Sequence, residues 1–171
     1  MSPIVRADLS APTSVDQLAE GERLIVRAFR CWILGLRENT AEHWSVAWND
    51  FAGRLGAHDG KAALSGLAGL VRELHHHARR RFRHHHPCCG CLTGDEVALV
   101  GFVGACQRGE WVLARALAEW LVHGEGIGGM IEAGARLSEA MLRASLFLPS
   151  RNAPARERLA APTPGADTTV H

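Results

Sequence analysis

Tyrosine is absent from this 171-residue chain, and Lys61 is its only lysine. The basic charge is therefore carried by arginines spread along the sequence, and the formal net charge is only +1. So even a balance gives no global electrostatic drive toward nucleic acid or a membrane surface. Long apolar runs are missing as well. The longest, Val97 to Cys106, is interrupted by two glycines and falls far short of the ~20 residues that a bilayer-spanning helix needs. Met1 to Pro12 shows no charged segment followed by an apolar one, so no secretory signal is expected and a cytoplasmic location is. No stretch alternates apolar and polar residues long enough to predict a strand. There is no Ser–His–Asp order, phosphate-binding glycine loop or His-Glu-x-x-His helix. The run Gly124-Glu125-Gly126-Ile127-Gly128-Gly129 has no preceding strand and no following Lys-Ser, and reads as a flexible turn between helices. The expectation is a non-catalytic protein.

What remains is helical periodicity. Residues 1–13 carry none and read as a flexible lead-in. Ser14 can cap a helix in which Val15, Leu18, Ile25, Phe29, Trp32 and Leu36 recur at helical spacing, with Gly35 weakening its last turn. Asn39 and Glu42 suggest a capping box opening a second helix with the stripe Trp44, Ala47, Trp48, Phe51, Ala52 and Leu55, and Gly56 is placed to stop it. Asp59 can cap a third helix, expected from about 60 to 83, whose stripe runs from Leu64 to Phe82. Thr93 and Glu96 form the best-specified helix start in the chain, a capping box with Leu92 and Val97 at staple positions. The helix that follows is apolar on nearly every side and should lie centrally. Two more helices, from Glu110 and ahead of Pro149, complete the count; the five tryptophans fall on or beside the stripes and read as core. The fold class predicted is all-α, one domain over 14–148 built as a bundle of five to six short helices, with 149–171 a Pro-rich disordered tail.

The chemistry is concentrated in one stretch. Residues 84–91 read His-His-His-Pro-Cys-Cys-Gly-Cys, six potential metal ligands in eight positions, and a second triplet, His75-His76-His77, lies just upstream. Cys88-x-x-Cys91 is the half-site spacing of tetrahedral thiolate centres, and Gly90 supplies the freedom such a turn requires. Further ligands are near: His84, His85, His86 or the thiol of Cys89, with His77 extending the set. Mixed thiolate and imidazole donors suit zinc first; iron, nickel and copper(I) stay open, as does an iron–sulfur cluster on Cys88, Cys89, Cys91 and Cys106. Glu125, near His123, is a conceivable late ligand, and a dimer sharing one site is an open arrangement. If the helix continued to residue 85, His85 would face the core, and Pro87 would end the helix at His86.

The plain alternative treats these residues separately. Histidines and arginines at a helix C-terminus complement its dipole, and Cys31 and Cys106 read as small core hydrophobes. That account covers single residues and covers the cluster poorly. The resulting expectation is a cytoplasmic zinc-binding protein whose site is structural or senses metal or redox state, signalling to a protein partner. Two alternatives follow from the same region. Arg72, Arg79, Arg80, Arg81 and Arg83 would form a basic patch for nucleic acid or another anion in a metal-dependent regulator. Cys88 and Cys91, flanked by cationic residues and a helix N-terminus, would instead serve as a thiol redox pair.

Overall fold

The computed structural model of the protein describes residues 11–150. Six helices, α1 (Glu20–Glu38), α2 (Ala41–Leu55), α3 (Ala57–His77), α4 (Gly94–Arg108), α5 (Trp111–Leu121) and α6 (Gly124–Arg143), form a bundle, and among the described residues no strand is present beyond two isolated bridges. The all-α expectation is met. The flexible start and disordered tail expected at 1–13 and 149–171 fall mostly outside the described residues.

Consecutive helices pack as neighbours: α1 on α2, α2 on α3, α4 on α5 and α5 on α6. The two halves of the chain are joined chiefly through α3 against α6, the most extensive helix pair. That approach depends on missing side chains. A Cβ at Gly66 would lie 2.7 Å from the Leu137 backbone nitrogen, and one at Gly126 would lie 2.6 Å from the Cβ of His77. The Gly124–Gly129 run is therefore the helical first part of α6, laid against α3, and not the flexible turn expected from its composition. Phe29, Phe51, Leu67, Phe102, Met130 and Leu137 fill the shared core.

Local signals set most helix ends. Thr93 accepts the Glu96 N–H at 3.1 Å while Glu96 Oε2 accepts the Thr93 N–H at 2.9 Å, the expected capping box. Gly56 and Gly109 close α2 and α4 with positive φ. Ser14 makes its capping box with Gln17, but this opens only a 3-10 turn, Val15–Gln17, and α1 starts later, at Glu20. Asn39 caps nothing at the start of α2; it closes α1 in a left-handed conformation, and Thr40 takes the N-cap position without a side-chain bond.

The main departure is at the end of α3. The helix stops at His77, six residues before its expected end, because backbone groups there pair across the molecule. The His77 carbonyl accepts from the His123 N–H at 2.8 Å, and the Arg79 N–H donates to Leu121 at 3.1 Å. Arg79 Nε also donates to the carbonyls of Glu119 and Val122. The end of α5 thus captures the chain and turns it extended at Ala78. A second departure concerns the tryptophans. Trp111 and Trp120, at the two ends of α5, are about half exposed, because that helix turns its alanines, Ala114 and Ala118, inward.

Candidate functional site

Residues 78–93 form a long connection between α3 and α4 with no helix of its own. Connections of that length are uncommon in compact domains unless they do something. This one is anchored throughout. Its first half is fixed by Asp95, a buried carboxylate that takes a two-pronged ion pair from Arg80 at 2.7 and 2.8 Å and the Arg83 N–H at 2.7 Å. The Thr93 hydroxyl donates to the Arg83 carbonyl at 2.7 Å. On the other side, Val15 donates to the Gly90 carbonyl at 2.8 Å and Leu92 to the Thr13 carbonyl at 2.9 Å.

The second half of the loop is organised by Arg30. This arginine lies in the middle of α1 and is almost completely buried. Its guanidinium forms a two-pronged pair with Glu96, Nε to Oε1 at 2.6 Å and Nη2 to Oε2 at 3.0 Å. The remaining N–H groups go to loop carbonyls: Nη1 to Cys89 at 2.6 Å and His86 at 3.4 Å, and Nη2 to Cys91 at 2.6 Å. All five guanidinium donors are thereby used. Glu96 receives two further bonds, from the Thr93 and His85 N–H groups. Burial pushes the Glu96 carboxyl up, yet the Arg30 hydrogen bonds, the Thr93 N–H, the Arg30 charge and the His85 N–H together hold it below its ordinary value.

With their carbonyls turned inward, the cysteines of the loop are left at the surface. Cys88 and Cys91 are exposed and Cys89 is half-buried, and all five cysteines of the chain are free thiols. His86, also exposed, places Nδ1 3.0 Å from the Cys88 sulfur. His84 packs its ring edge-on toward Phe29, with centroids 6.4 Å apart, and its Nδ1 lies 3.3 Å from the His85 carbonyl. His85 is half-buried. His77 stays on α3, beside Glu73 at 3.8 Å and against Gly126 of α6. The core-facing helical position expected for His85 does not arise, since α3 has already ended. Cys31 and Cys106 are buried as expected; burial raises both thiols, Cys106 to about 12. Among the described residues, no three His, Cys, Asp or Glu side chains stand close enough to hold one ion. The structure thus brings together His86 and Cys88, with Cys89 and Cys91 on the same turn, and leaves His77 and Cys106 on separate helices.

No family model, curated protein or solved structure matches the chain at a significant level.

The functional reading therefore rests on the residues themselves. The basic run expected to act as one patch is divided by the end of α3. All five arginines are exposed, but Arg79 and Arg80 are held to the fold by hydrogen bonds, Arg80 also lying 4.4 Å over the Trp120 ring. The residue that sequence reading passed over is Arg30. Its place in the sequence hid it: Arg23, Arg27 and Arg30 recur at steps of four and three on the side of the first helix away from the stripe of Ile25, Phe29, Trp32 and Leu36, where a run of arginines reads as a solvated face. A charge on a buried helix face needs a partner, and Glu96 supplies it. Among the described residues, no helix is long and apolar enough to cross a membrane.

Proposed function

We propose that the chain binds a transition metal ion, zinc first, at the exposed turn 86–91, with His86 and Cys88 as the nucleus of the donor set. The observation that carries this reading is the 3.0 Å approach of His86 Nδ1 to the Cys88 sulfur on a backbone clamped by Arg30. Tetrahedral zinc, with bonds of about 2.0–2.1 Å to nitrogen and 2.3 Å to sulfur, separates such donors by roughly 3.6 Å. The pair therefore opens by only about half an ångström to admit the ion. Cys91, exposed two residues beyond Cys89, is the next ligand on the same turn, reached by rotation of its side chain.

The anchoring of the loop bears on what the metal would do. Arg30, Glu96, Arg80 and Asp95 already tie α1, the loop and α4 together without any ion. A metal that merely pinned α3 to α4 would duplicate this work. A reversible, regulatory site fits better: occupancy changes the surface at 86–91 for a protein partner to read, in a reducing cytoplasm that keeps the thiols available. Cobalt(II) titration tests the proposal. The expected result is a sulfur-to-cobalt charge-transfer band that zinc displaces, lost in Cys88→Ser and weakened in His86→Ala or Cys91→Ser. Absence of the band in the wild type, or its survival in Cys88→Ser, rules the site out.

A further inference from the structure

The inner side of the same turn faces a cavity of about 490 Å³, within the size range of small-molecule sites. Cys88 and Cys89 form one wall. The opposite wall is one face of α1, where Glu20, Arg23, Arg27 and Arg30 follow each other at helical spacing, with Arg54 of α2 beside them. Most of these charges are spoken for. Arg27 pairs with Asp50 at 2.8 Å, Arg54 with Glu20, and Arg30 with Glu96 and the loop.

Two lining groups stand differently. Arg23 is exposed, and one of its nitrogens donates to the Leu18 carbonyl at 2.8 Å. Among the described residues it forms no ion pair, so further N–H groups are available to a carboxylate. Asp16, on the 3-10 turn that edges the cavity, likewise meets no cation among the described residues. The site therefore presents, around one space, a thiol, a carboxylate and a guanidinium with no direct ion-pair partner among the described residues, the guanidinium lying in the field of Glu20. That set complements a small molecule with a carboxylate, an ammonium group and a sulfur.

We propose that Cys88 is a thiolation site, at which a zwitterionic low-molecular-weight peptide disulfide docks and exchanges. The Cys88 sulfur attacks one sulfur of the bound disulfide, a bond forms between them, and the disulfide's own S–S bond breaks. Cys88 is oxidised to the mixed-disulfide level, and the departing half leaves as a thiolate that takes up the proton given up by Cys88. The small disulfide is the only oxidant needed. Arg23 binds the carboxylate of the docked half and Asp16 its ammonium. Cys91 does not line the cavity, Cys31 and Cys106 are buried, and Cys89, on the same wall, is half-buried where Cys88 is exposed, so the selectivity for Cys88 is positional.

The test uses the full chain, reduced and freed of metal with a chelator, exposed separately to glutathione disulfide and to neutral hydroxyethyl disulfide. Modified sites are followed over time by peptide mass spectrometry. Glutathione disulfide is expected to modify Cys88 first, about tenfold ahead of Cys91, and Arg23→Ala to slow that reaction about fivefold, the scale of one charge-assisted contact. The hydroxyethyl disulfide rate at Cys88 should be unchanged in Arg23→Ala. Equal modification of Cys88 and Cys91, or an Arg23→Ala effect that is absent or the same for both reagents, overturns the proposal. Asp16→Asn provides a second variant, expected to slow glutathione disulfide alone; equal slowing of both reagents counts against the site.

Discussion

Arg30 and Glu96, 66 residues apart in sequence, meet in a buried two-pronged ion pair with contacts of 2.6 and 3.0 Å. Glu96 is at once the capping residue of α4 and the counter-charge of an arginine in the centre of α1. Desolvating two charges is costly, and such a pair persists where its remaining hydrogen-bonding capacity is also met. Here the loop carbonyls of 86, 89 and 91 and the N–H groups of 85 and 93 meet it.

Removing either partner should therefore be severe. Arg30→Met and Glu96→Gln are each expected to lower unfolding stability by about 3–5 kcal/mol, as for other broken buried pairs. Urea denaturation measures this. The double variant Arg30→Met/Glu96→Leu should not recover fully, because three loop carbonyls lose their donor. Full recovery would reduce Arg30 to a partner of Glu96 alone.

Acidification should act through the same carboxylate. The folded state holds Glu96 below its ordinary value, so the native protein binds fewer protons there than the unfolded chain. Its contribution is complete above the unfolded glutamate range, about 4.3, and is lost as pH falls through the lower folded value. Glu96→Gln should be the less stable protein at neutral pH and yet lose less on acidification. Urea midpoints at about pH 7 and about pH 3.5 compare the two slopes.

Two glycines should respond to alanine with opposite signs. At Gly66 the new methyl would meet the Leu137 nitrogen at 2.7 Å and the Ala133 carbonyl at 2.9 Å, backbone atoms that cannot step aside. Overpacking of that kind costs about 1–3 kcal/mol and outweighs the gain in helix propensity. Gly53, exposed within α2, has nothing within 4 Å of the added carbon. Gly53→Ala should stabilise by roughly 0.5–1 kcal/mol. Thermal unfolding of the pair decides both signs.

Metal removal should leave the helices in place. Far-UV circular dichroism of chelator-treated protein is expected to match that of zinc-loaded protein. Amide hydrogen exchange should slow on zinc addition at residues 86–91 and stay unchanged in α1 and α4. Loss of helix content without metal would make the ion part of the scaffold and would count against a regulatory site.

What the sequence disclosed was local. The stripe of Trp44, Ala47, Trp48, Phe51 and Leu55 and the Thr93–Glu96 capping box depend on residues a few positions apart, and both appear where expected. The end of α3 was not legible, because it is set by hydrogen bonds with distant residues, His77 accepting from the His123 N–H and Arg79 donating to the Leu121 carbonyl at the end of α5. The loop cysteines and histidines announced a chemistry but not their arrangement. That arrangement follows from Arg30, which spacing groups with Arg23 and Arg27 on a polar side of the first helix and which only the fold buries, against a partner on another helix.

The clamp on residues 86–91 also sets what this segment can tolerate as it changes over time. Arg30 reads three main-chain oxygens and no side chain of the turn. Side chains at 88 and 89 can be exchanged without touching that grip, so donor chemistry can drift toward other ligands or none. A single insertion or deletion between 86 and 91 would displace the oxygens from the guanidinium and leave a buried cation short of acceptors. Length, more than composition, is the property the fold holds constant here.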